Sequence, residues 1–181
     1  MTLGEPRLGP AGVVERRAAV APRAFALPSL LSVDETRRLL ACTLDFARGP
    51  DSVDREPTFE CFVFDRGDVL SEGACRALEA PLLGRALPYL RERFKCATLE
   101  PYQALVRRYL PSERRKHPAH FDAHAFVTLV VALNDEDDYD GGYYAQPTPR
   151  PASARFAPLA RGDGFAHGFD LRHGVRVDRG S

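Results

Sequence analysis

The chain has 181 residues, enough for one domain with a substantial core. Hydrophobic residues make up 44% and charged residues 28%, a composition typical of globular proteins. The 25 basic residues balance 25 acidic ones, so the net charge gives no electrostatic basis for binding nucleic acid or an anionic membrane surface. No apolar run reaches the length of a membrane span, and the first residues lack the apolar core of a secretory signal. We therefore expect an intracellular protein.

The first half of the chain carries mostly helix signals. Residues 1–24 are interpreted as a flexible tail. Ser32 is a candidate N-cap and Glu35 completes a capping box, so we predict a helix that begins there and is stopped by Gly49-Pro50. The run TFECFVFD predicts a strand. Residues 71–94 have a helical pattern interrupted by prolines, and we expect Pro81 to start a second helix.

From residue 98 onward, short strand candidates alternate with turn signals, a pattern typical of a β-sandwich or barrel. We therefore predict one domain over residues 25–181, with a helical part to about residue 97 and a β core over residues 98–181. No CxxC pair is present, and without a signal peptide the cysteines are expected to be reduced and buried. They are Cys42, Cys61, Cys75 and Cys96.

The stretch HPAHFDAHAF contains three of the five histidines of the chain. If this segment is extended, His120 and Asp122 point to one face, because side chains at i and i+2 share a face of a strand. A third ligand must come from elsewhere, and His173 is the best candidate. Two histidines and a carboxylate on one face of a metal leave the opposite positions open, as in the facial triad of non-heme Fe(II) oxygenases.

The surroundings of this motif resemble the Fe(II)- and 2-oxoglutarate-dependent dioxygenases, in particular the prolyl 4-hydroxylase-like branch. The resemblance lies in RRYLPSERRKHPAHFDAHAFVTLVVALNDEDDYDGGYY and in PLARGDGFAHGFDLRHGVRVDRG, and it covers about residues 25–181. It implies a double-stranded β-helix, a jelly-roll and cupin-like core, with helices packed on it. It also implies Fe(II), 2-oxoglutarate as cosubstrate and ascorbate as a candidate reductant.

The resemblance further implies residue roles. His120, Asp122 and His173 would be the iron ligands, and the reaction would hydroxylate a C–H bond, most like that of a peptidyl proline. Tyr109 lies where the family often places a hydroxyl near the cosubstrate carboxylate, and Thr128 could line the same pocket.

Two departures from the family pattern affect the cosubstrate site. The family places a basic residue on the final strand, nine or ten positions after the distal histidine. Arg179 is only six positions after His173, so we expect the final strand and its cation to be missing. Arg107 or Arg108 could replace that cation by turning inward. In addition, Ala132 stands where some hydroxylases carry a tyrosine.

The remaining histidines have simpler interpretations. His117 and His124 are interpreted as solvent-facing or core histidines, with His124 as an alternative pocket group beside the metal. His167 is interpreted as a packing residue or a pocket wall. The acidic run DEDDYD is interpreted as a solvated turn, because a calcium loop would need a glycine and a closing glutamate at set places. The proline-rich stretch AQPTPRPASARF is a candidate substrate lid.

Other functions remain open at this stage. The same chemistry could act on a small molecule or a nucleobase instead of a protein or peptide, although the neutral charge gives the nucleobase no support. A different class is a cupin-like metal-binding module with impaired catalysis, or an incomplete chain. A zinc hydrolase with the same three ligands is also conceivable, but it would not explain the Gly-Gly and His-Gly-Val context.

Overall fold

The helices form the N-terminal part of the fold in the computed structural model, which describes residues 24–180. Helix α1 begins with the predicted capping box, since the Ser32 hydroxyl accepts from the backbone N–H of Glu35 and the Glu35 carboxylate accepts from that of Ser32. The helix ends at Ala41, not at Gly49-Pro50, and residues 47–50 form a strand. The predicted end of the helix therefore lies eight residues too far along the chain.

The second helical region is continuous through its first proline. Helix α2 passes directly into a π-helical stretch, Glu79–Ala86, which passes into helix α3. Pro81 lies inside the π-helical stretch, so the prediction that it starts a new helix is wrong. In an α-helix, the ring of a proline and its missing N–H disrupt the hydrogen bonds between successive turns. The wider turns of a π-helix accommodate this disruption. The helices are α1 (Val33–Ala41), α2 (Glu72–Leu78) and α3 (Leu87–Phe94).

The strands form three antiparallel sheets, with orders β1-β10-β7, β6-β11-β8-β9 and β2-β3-β4, and β5 pairs with β3. Those of the N-terminal half are β1 (Ala24–Leu27), β2 (Ala47–Pro50), β3 (Pro57–Asp65), β4 (Asp68–Val69) and β5 (Gln103–Arg108). Those of the C-terminal half are β6 (Lys116–His120), β7 (Val127–Val131), β8 (Tyr139–Ala145), β9 (Arg155–Phe156), β10 (Gly164–Gly168) and β11 (His173–Gly180).

Two of these sheets face each other. The side chain of His167 on β10 contacts Tyr143 on β8 and His173 on β11, so the sheet β1-β10-β7 packs on the sheet β6-β11-β8-β9. The apolar core joins the helices to the sheet β1-β10-β7 and to the sheet that contains β3 and β5, and it includes Leu39, Leu90, Val106 and Ala166. This β-sandwich with N-terminal helices agrees with the predicted jelly-roll class.

In the part of the chain that the structure describes, the strands at the sheet edges each pair with one neighbour; these are β1, β2, β4, β5, β6, β7 and β9. The proposed tail, residues 1–24, lies outside the described residues except for Ala24, which begins β1. The four cysteines are free, but only Cys61 is buried, so the expected burial is wrong for Cys42, which is exposed. None of the described helices has the length and apolar character of a membrane span.

Candidate metal centre

Two neighbouring strands deliver the predicted histidines to one place. His120 is the last residue of β6 and His173 is the first residue of β11, and the two are paired in the antiparallel register of these strands. Asp122 lies two residues beyond the end of β6, in a turn closed by a hydrogen bond from the backbone N–H of Ala125 to the carbonyl of Asp122. The aspartate therefore reaches the site from a loop, not from an extended strand.

The three predicted ligands converge. Their ligand atoms all lie within 4.8 Å of one another. Nε2 of His120 is 3.2 Å from one Asp122 oxygen, and Nε2 of His173 is 3.3 Å from the other. His173 is buried, while His120 and Asp122 are half-buried, so the group is reachable from one side.

Backbone carbonyls determine which ring nitrogen of each histidine faces the group. Nδ1 of His120 lies 2.8 Å from the carbonyl of Pro118, and Nδ1 of His173 lies 3.1 Å from that of Leu171. Because a carbonyl only accepts, each Nδ1 carries the hydrogen, and a neutral ring presents a lone pair at Nε2. Two lone pairs and a carboxylate then face one another, an arrangement that a cation stabilises.

Thr128 holds the carboxylate in place. Its hydroxyl donates to Asp122 Oδ2 over 2.6 Å. Burial raises the pKa of Asp122 and the hydrogen bond that Thr128 donates lowers it, and the net pKa lies below its usual range. The carboxylate is therefore ionised at neutral pH. The predicted role of Thr128 in binding cosubstrate stays a prediction, because here its hydroxyl serves the carboxylate.

This donor set fits the predicted metal. Two imidazole nitrogens and one carboxylate suit iron and related divalent transition ions, and the 2-His-1-carboxylate set leaves coordination positions open for other ligands. The residues that would hold Fe(II) are thus His120, Asp122 and His173.

A buried group of paired charges lies next to the metal centre. We call it the charge cluster, and it consists of Asp51, Asp54, Glu60, Arg107 and Arg114. Arg114 makes a two-pronged contact with Asp54 at 3.0 Å, and both Nε and Nη2 of Arg107 donate to Glu60. Burial raises the pKa of Asp51, but the N–H of Val53 and the neighbouring positive charges outweigh it, so the net pKa is lowered.

His117 connects the charge cluster to the metal centre. It is 5% exposed, which removes the solvent-facing interpretation. Nδ1 lies 2.8 Å from Arg107 Nη1 and 2.9 Å from Asp51 Oδ2, and Nε2 lies 3.2 Å from Nε2 of His120. Burial and the charge of Arg107 lower the pKa of His117, so its ring is neutral at neutral pH.

The two arginines of β5 point to opposite faces, as strand alternation requires. Arg107 turns inward to His117, whereas Arg108 pairs with Glu113 and covers the rings of Phe46 and Phe59. Tyr109 follows them just beyond the strand; burial raises its pKa, and the nearby Arg107 opposes that shift. The predicted role of Tyr109 in binding cosubstrate stays a prediction.

Two further polar groups sit beside His173: His167, which the sequence indicated as a packing residue or a pocket wall, and Tyr143, which it did not indicate. Tyr143 stacks on His173 with ring centroids 5.6 Å apart, and His167 contacts it at 4.4 Å. The Tyr143 hydroxyl and Nε2 of His167 are buried without a hydrogen-bond partner among the described residues. Burial lowers the pKa of His167 to about 4. Unpaired buried polar atoms are uncommon and mark places where a ligand or water binds.

The other sequence candidates are outside the group of three converging ligands. His124 is exposed, and the acidic run forms an exposed 3₁₀ turn at residues 136–138 that pairs with Arg161. The proline-rich stretch begins beside the metal centre, where Ala145 on β8 pairs with His173 on β11, and it continues into a short 3₁₀ turn, Pro151–Ser153. Its role as a substrate lid stays a prediction.

Comparison with known proteins relates the fold to one group of enzymes. No family model and no curated relative matches the chain. Among solved structures, a 2OG-Fe(II) oxygenase family oxidoreductase from Burkholderia pseudomallei has a TM-score of 0.66 at 20% identity, covering 87% of this chain and 80% of its own. A Pseudomonas putida prolyl 4-hydroxylase has a TM-score of 0.63 at 15% identity, covering 86% and 87%.

A third similar structure acts on a different kind of molecule. SnoN, an α-ketoglutarate-dependent non-heme epimerase of nogalamycin biosynthesis, has a TM-score of 0.65 at 17% identity and covers 89% of this chain and 73% of its own. SnoN has also been solved with Fe³⁺, α-ketoglutarate and a nogalamycin compound. The chain therefore has the fold of the 2OG-Fe(II) oxygenases, and it carries a His-Asp-His triad of the kind that holds iron.

Proposed function

We propose that this chain is an Fe(II)- and 2-oxoglutarate-dependent oxygenase that hydroxylates a C–H bond. The observation that carries the proposal is the convergence of His120, Asp122 and His173, with each histidine held by a backbone carbonyl so that Nε2 faces inward. When bound, the iron brings 2-oxoglutarate and O2 together, giving succinate, CO2 and one oxygen atom inserted into the substrate C–H bond. Ascorbate as a reductant belongs to the same proposal.

The chain's own residues orient these partners. Thr128 fixes the carboxylate of Asp122, and the carbonyls of Pro118 and Leu171 fix the two imidazoles. We assign Tyr109 to the cosubstrate carboxylate, with the Tyr143 hydroxyl as a further donor inside the sandwich, because that hydroxyl is buried without a partner among the described residues. A carboxylate that binds there would supply the acceptor that the Tyr143 hydroxyl lacks.

A peptidyl proline is the substrate that we propose, on the basis of the surface around the metal centre. Phe121 lies between two ligands and is 45% exposed. Phe126 and Phe169, each four residues from a ligand, are also exposed, and their ring centroids are 6.3 Å apart. Exposed aromatic rings form apolar surfaces that bind proline-rich extended segments. A prolyl hydroxylase from Trichoplax adhaerens, solved with a peptide fragment, shares the fold.

A second candidate function is a metal-binding module with impaired catalysis. It is favoured by Arg107, which is the inward arginine that could replace the family's terminal cation but is already paired with Glu60. A cation that is already neutralised attracts a second carboxylate weakly. A small-molecule substrate, as for SnoN, keeps the first function and changes only the acceptor of the oxygen atom.

The test is succinate formation from 2-oxoglutarate, measured by mass spectrometry with and without Fe(II), for the parent chain and for His120→Ala. We expect Fe(II)-dependent succinate in the parent and none in the variant. Proline-containing peptides should increase succinate formation and gain the mass of one oxygen atom. Metal binding without any succinate would favour the second candidate, and equal turnover by both chains would reject the assigned site.

A further inference from the structure

We propose that His117 donates the hydrogen of Nε2 to the carboxylate of a 2-oxo acid bound to the metal, so that it selects an anionic oxygen ligand for one of the open positions. This inference rests on the metal site and the cosubstrate of the proposed function. It adds a contact around the three-ligand site of His120, Asp122 and His173 and leaves the open positions unchanged. The His117 side chain is buried and lies on β6, the strand that ends at His120.

Two arginines determine which nitrogen of the His117 ring carries the hydrogen. Nδ1 lies 2.8 Å from Nη1 of Arg107 and 3.5 Å from Nη2 of Arg114. A guanidinium donates and has no acceptor, so Nδ1 accepts and the hydrogen lies on Nε2. Asp51 Oδ2 is also 2.9 Å from Nδ1, and the same two arginines, at 3.5 and 3.8 Å from that oxygen, offset its charge.

These arginines are fixed by other partners. Nε and Nη2 of Arg107 donate to Glu60, and Arg114 contacts both carboxylate oxygens of Asp54. Turning the imidazole over would replace Nδ1 by a carbon and set its hydrogen against Arg107, so the His117 ring keeps one orientation as well as one tautomer. The charge cluster therefore holds the Nε2 hydrogen in a fixed direction.

That hydrogen points at the metal centre. Nε2 of His117 lies 3.2 Å from Nε2 of His120, which accepts because the Nδ1 of His120 donates to the carbonyl of Pro118. A metal bound to His120 takes up the lone pair that accepts this hydrogen. The buried N–H of His117 then lacks an acceptor, which costs free energy unless a new acceptor arrives with the metal. An oxygen atom of a metal-bound ligand supplies that acceptor.

The two rings are arranged so that His117 meets such a ligand and not the metal itself. The ring planes are 84° apart and the centroids are 4.3 Å apart, closer than an end-to-end approach of the two Nε2 atoms would allow. His117 therefore approaches His120 from the side, away from the axis along which an imidazole binds a metal. A ligand bound at a right angle to His120 on this side lies within reach of the His117 hydrogen.

The acceptor that suits this position is a carboxylate. A hydrogen bond to an ionised acceptor is stronger than one between neutral groups. A 2-oxo acid that chelates the metal places one carboxylate oxygen on it, and that oxygen keeps a lone pair free to accept. Imidazole has no free lone pair once it binds a metal, so it offers the His117 hydrogen no acceptor. We therefore expect His117 to favour 2-oxo acids over nitrogen ligands at the metal.

Titration of the Co(II)-loaded full chain tests the inference, because the visible absorption bands of Co(II) report the binding of either ligand. The titrants are 2-oxoglutarate and, separately, imidazole. The variant His117→Phe keeps a ring and removes the donor, His117→Gln keeps an N–H donor, and His124→Phe makes the first change at an exposed histidine.

We expect His117→Phe to weaken 2-oxoglutarate binding by about 10–100-fold, as the loss of a hydrogen bond to a charged group does. His117→Gln should recover part of that loss, and the control His124→Phe should match the parent. Imidazole binding, and Co(II) binding without cosubstrate, should stay close to the parent in all three variants. Equal losses for 2-oxoglutarate and imidazole would mean that His117 only shapes the site, which would overturn the inference.

A second measurement uses the parent chain alone, so it stands even if His117→Phe does not fold. Nuclear magnetic resonance of the Zn(II)-loaded chain, with isotope-labelled histidine, identifies the protonated nitrogen of each ring. We expect His117 to carry its hydrogen on Nε2, with a proton signal that moves downfield when 2-oxoglutarate binds. A hydrogen on Nδ1, or a signal that 2-oxoglutarate leaves unchanged, would overturn this inference and leave the proposed function intact. A parent chain that binds no metal or no 2-oxoglutarate would instead reject the proposed function, and this inference with it.

Discussion

The metal centre and the charge cluster are adjacent, yet the buried carboxylates in the two regions have opposite kinds of partner. In the charge cluster, each carboxylate meets a guanidinium, as in the contact of Arg114 with Asp54. In the metal centre, the carboxylate of Asp122 meets imidazoles whose hydrogens are directed elsewhere, to backbone carbonyls. In the first arrangement the charges of the side chains offset one another, and in the second the carboxylate is offset only when a cation binds. Comparable burial therefore gives a structural site in one place and a binding site in the other.

We expect the largest loss of metal affinity from Asp122→Ala, in the metal centre. It removes the only anion of the metal centre and leaves two neutral imidazoles, so we expect Fe(II) affinity to fall more than about 100-fold. Thr128→Val, which removes only the hydroxyl that holds the carboxylate, should give a smaller loss. Isothermal titration under anaerobic conditions measures both. Retention of parent-like affinity in Asp122→Ala would show that the metal binds elsewhere.

Arg114→Ala tests the charge cluster. Arg114 is 7% exposed, and its removal takes away the guanidinium that pairs with Asp54 and one of the two guanidiniums beside Asp51. Breaking a buried ion pair in this way costs about 3–5 kcal/mol of the free energy of unfolding. Urea denaturation measures the loss. Arg108→Ala is the matched control on the outer face of β5, where a partly exposed pair contributes less than about 1 kcal/mol; comparable losses would mean that the two arginines are not distinguished by burial.

Tyr109→Phe tests whether the hydroxyl of Tyr109, which lies near Arg107 of the charge cluster, binds the cosubstrate. If the hydroxyl donates to a 2-oxoglutarate carboxylate, its loss should weaken 2-oxoglutarate binding by about 1–3 kcal/mol. Fe(II) affinity measured without cosubstrate should hardly change. Titration of the Mn(II)-loaded chain with 2-oxoglutarate provides the measurement, because Mn(II) does not turn over. Unchanged affinity would place Tyr109 in the core and not in the pocket.

The smallest effect is expected far from both regions, at the cap of α1. Hydrogen bonds from the Ser32 backbone and from Arg85 lower the pKa of Glu35 from 4.5 to about 2. A pKa that is lower in the folded chain stabilises the fold above about pH 4.5, and this contribution is lost as the pH falls toward 2. Since the side chain is near the surface, the effect should be below about 1 kcal/mol. The difference in unfolding free energy between the parent and Glu35→Gln should shrink over that range, and a constant difference would contradict this.

The features of the fold that the sequence predicted correctly depend on residues close to one another in the chain. The capping box of Ser32 and Glu35 involves residues three apart, and it forms as predicted. The opposite orientations of Arg107 and Arg108 also follow from strand alternation alone. The end of α1 was missed because Ala47–Pro50 pairs with β3, a partner that no local pattern indicates. Likewise, the π-helical stretch accommodates Pro81 within a helix that packs on the core.

The candidate site divides in the same way. His120 and Asp122 are close in sequence, whereas His173 lies far along the chain, and it meets them through the pairing of β11 with β6. The charge cluster escaped prediction because Asp51, Glu60 and Arg107 come together through the pairing of β3 with β5 and the loop after β2. The burial of His117 agrees with the core interpretation, but its partners Asp51 and Arg107 come from two other parts of the chain and no local pattern indicates them.

Gly174 shows how a mutational scan of this protein could mislead. It follows His173, at an irregularity in the pairing of β11 with β6. A Cβ atom at this position would lie 2.6 Å from the carbonyl oxygen of His117 and 2.5 Å from the hydroxyl of Tyr144. Any other residue would force β11 away from its neighbours and carry His173 with it. Substitutions at position 174 would then abolish function as completely as substitutions of a metal ligand, although glycine has no side chain. Their effect would report the lack of space beside His173 and not a chemical role of Gly174.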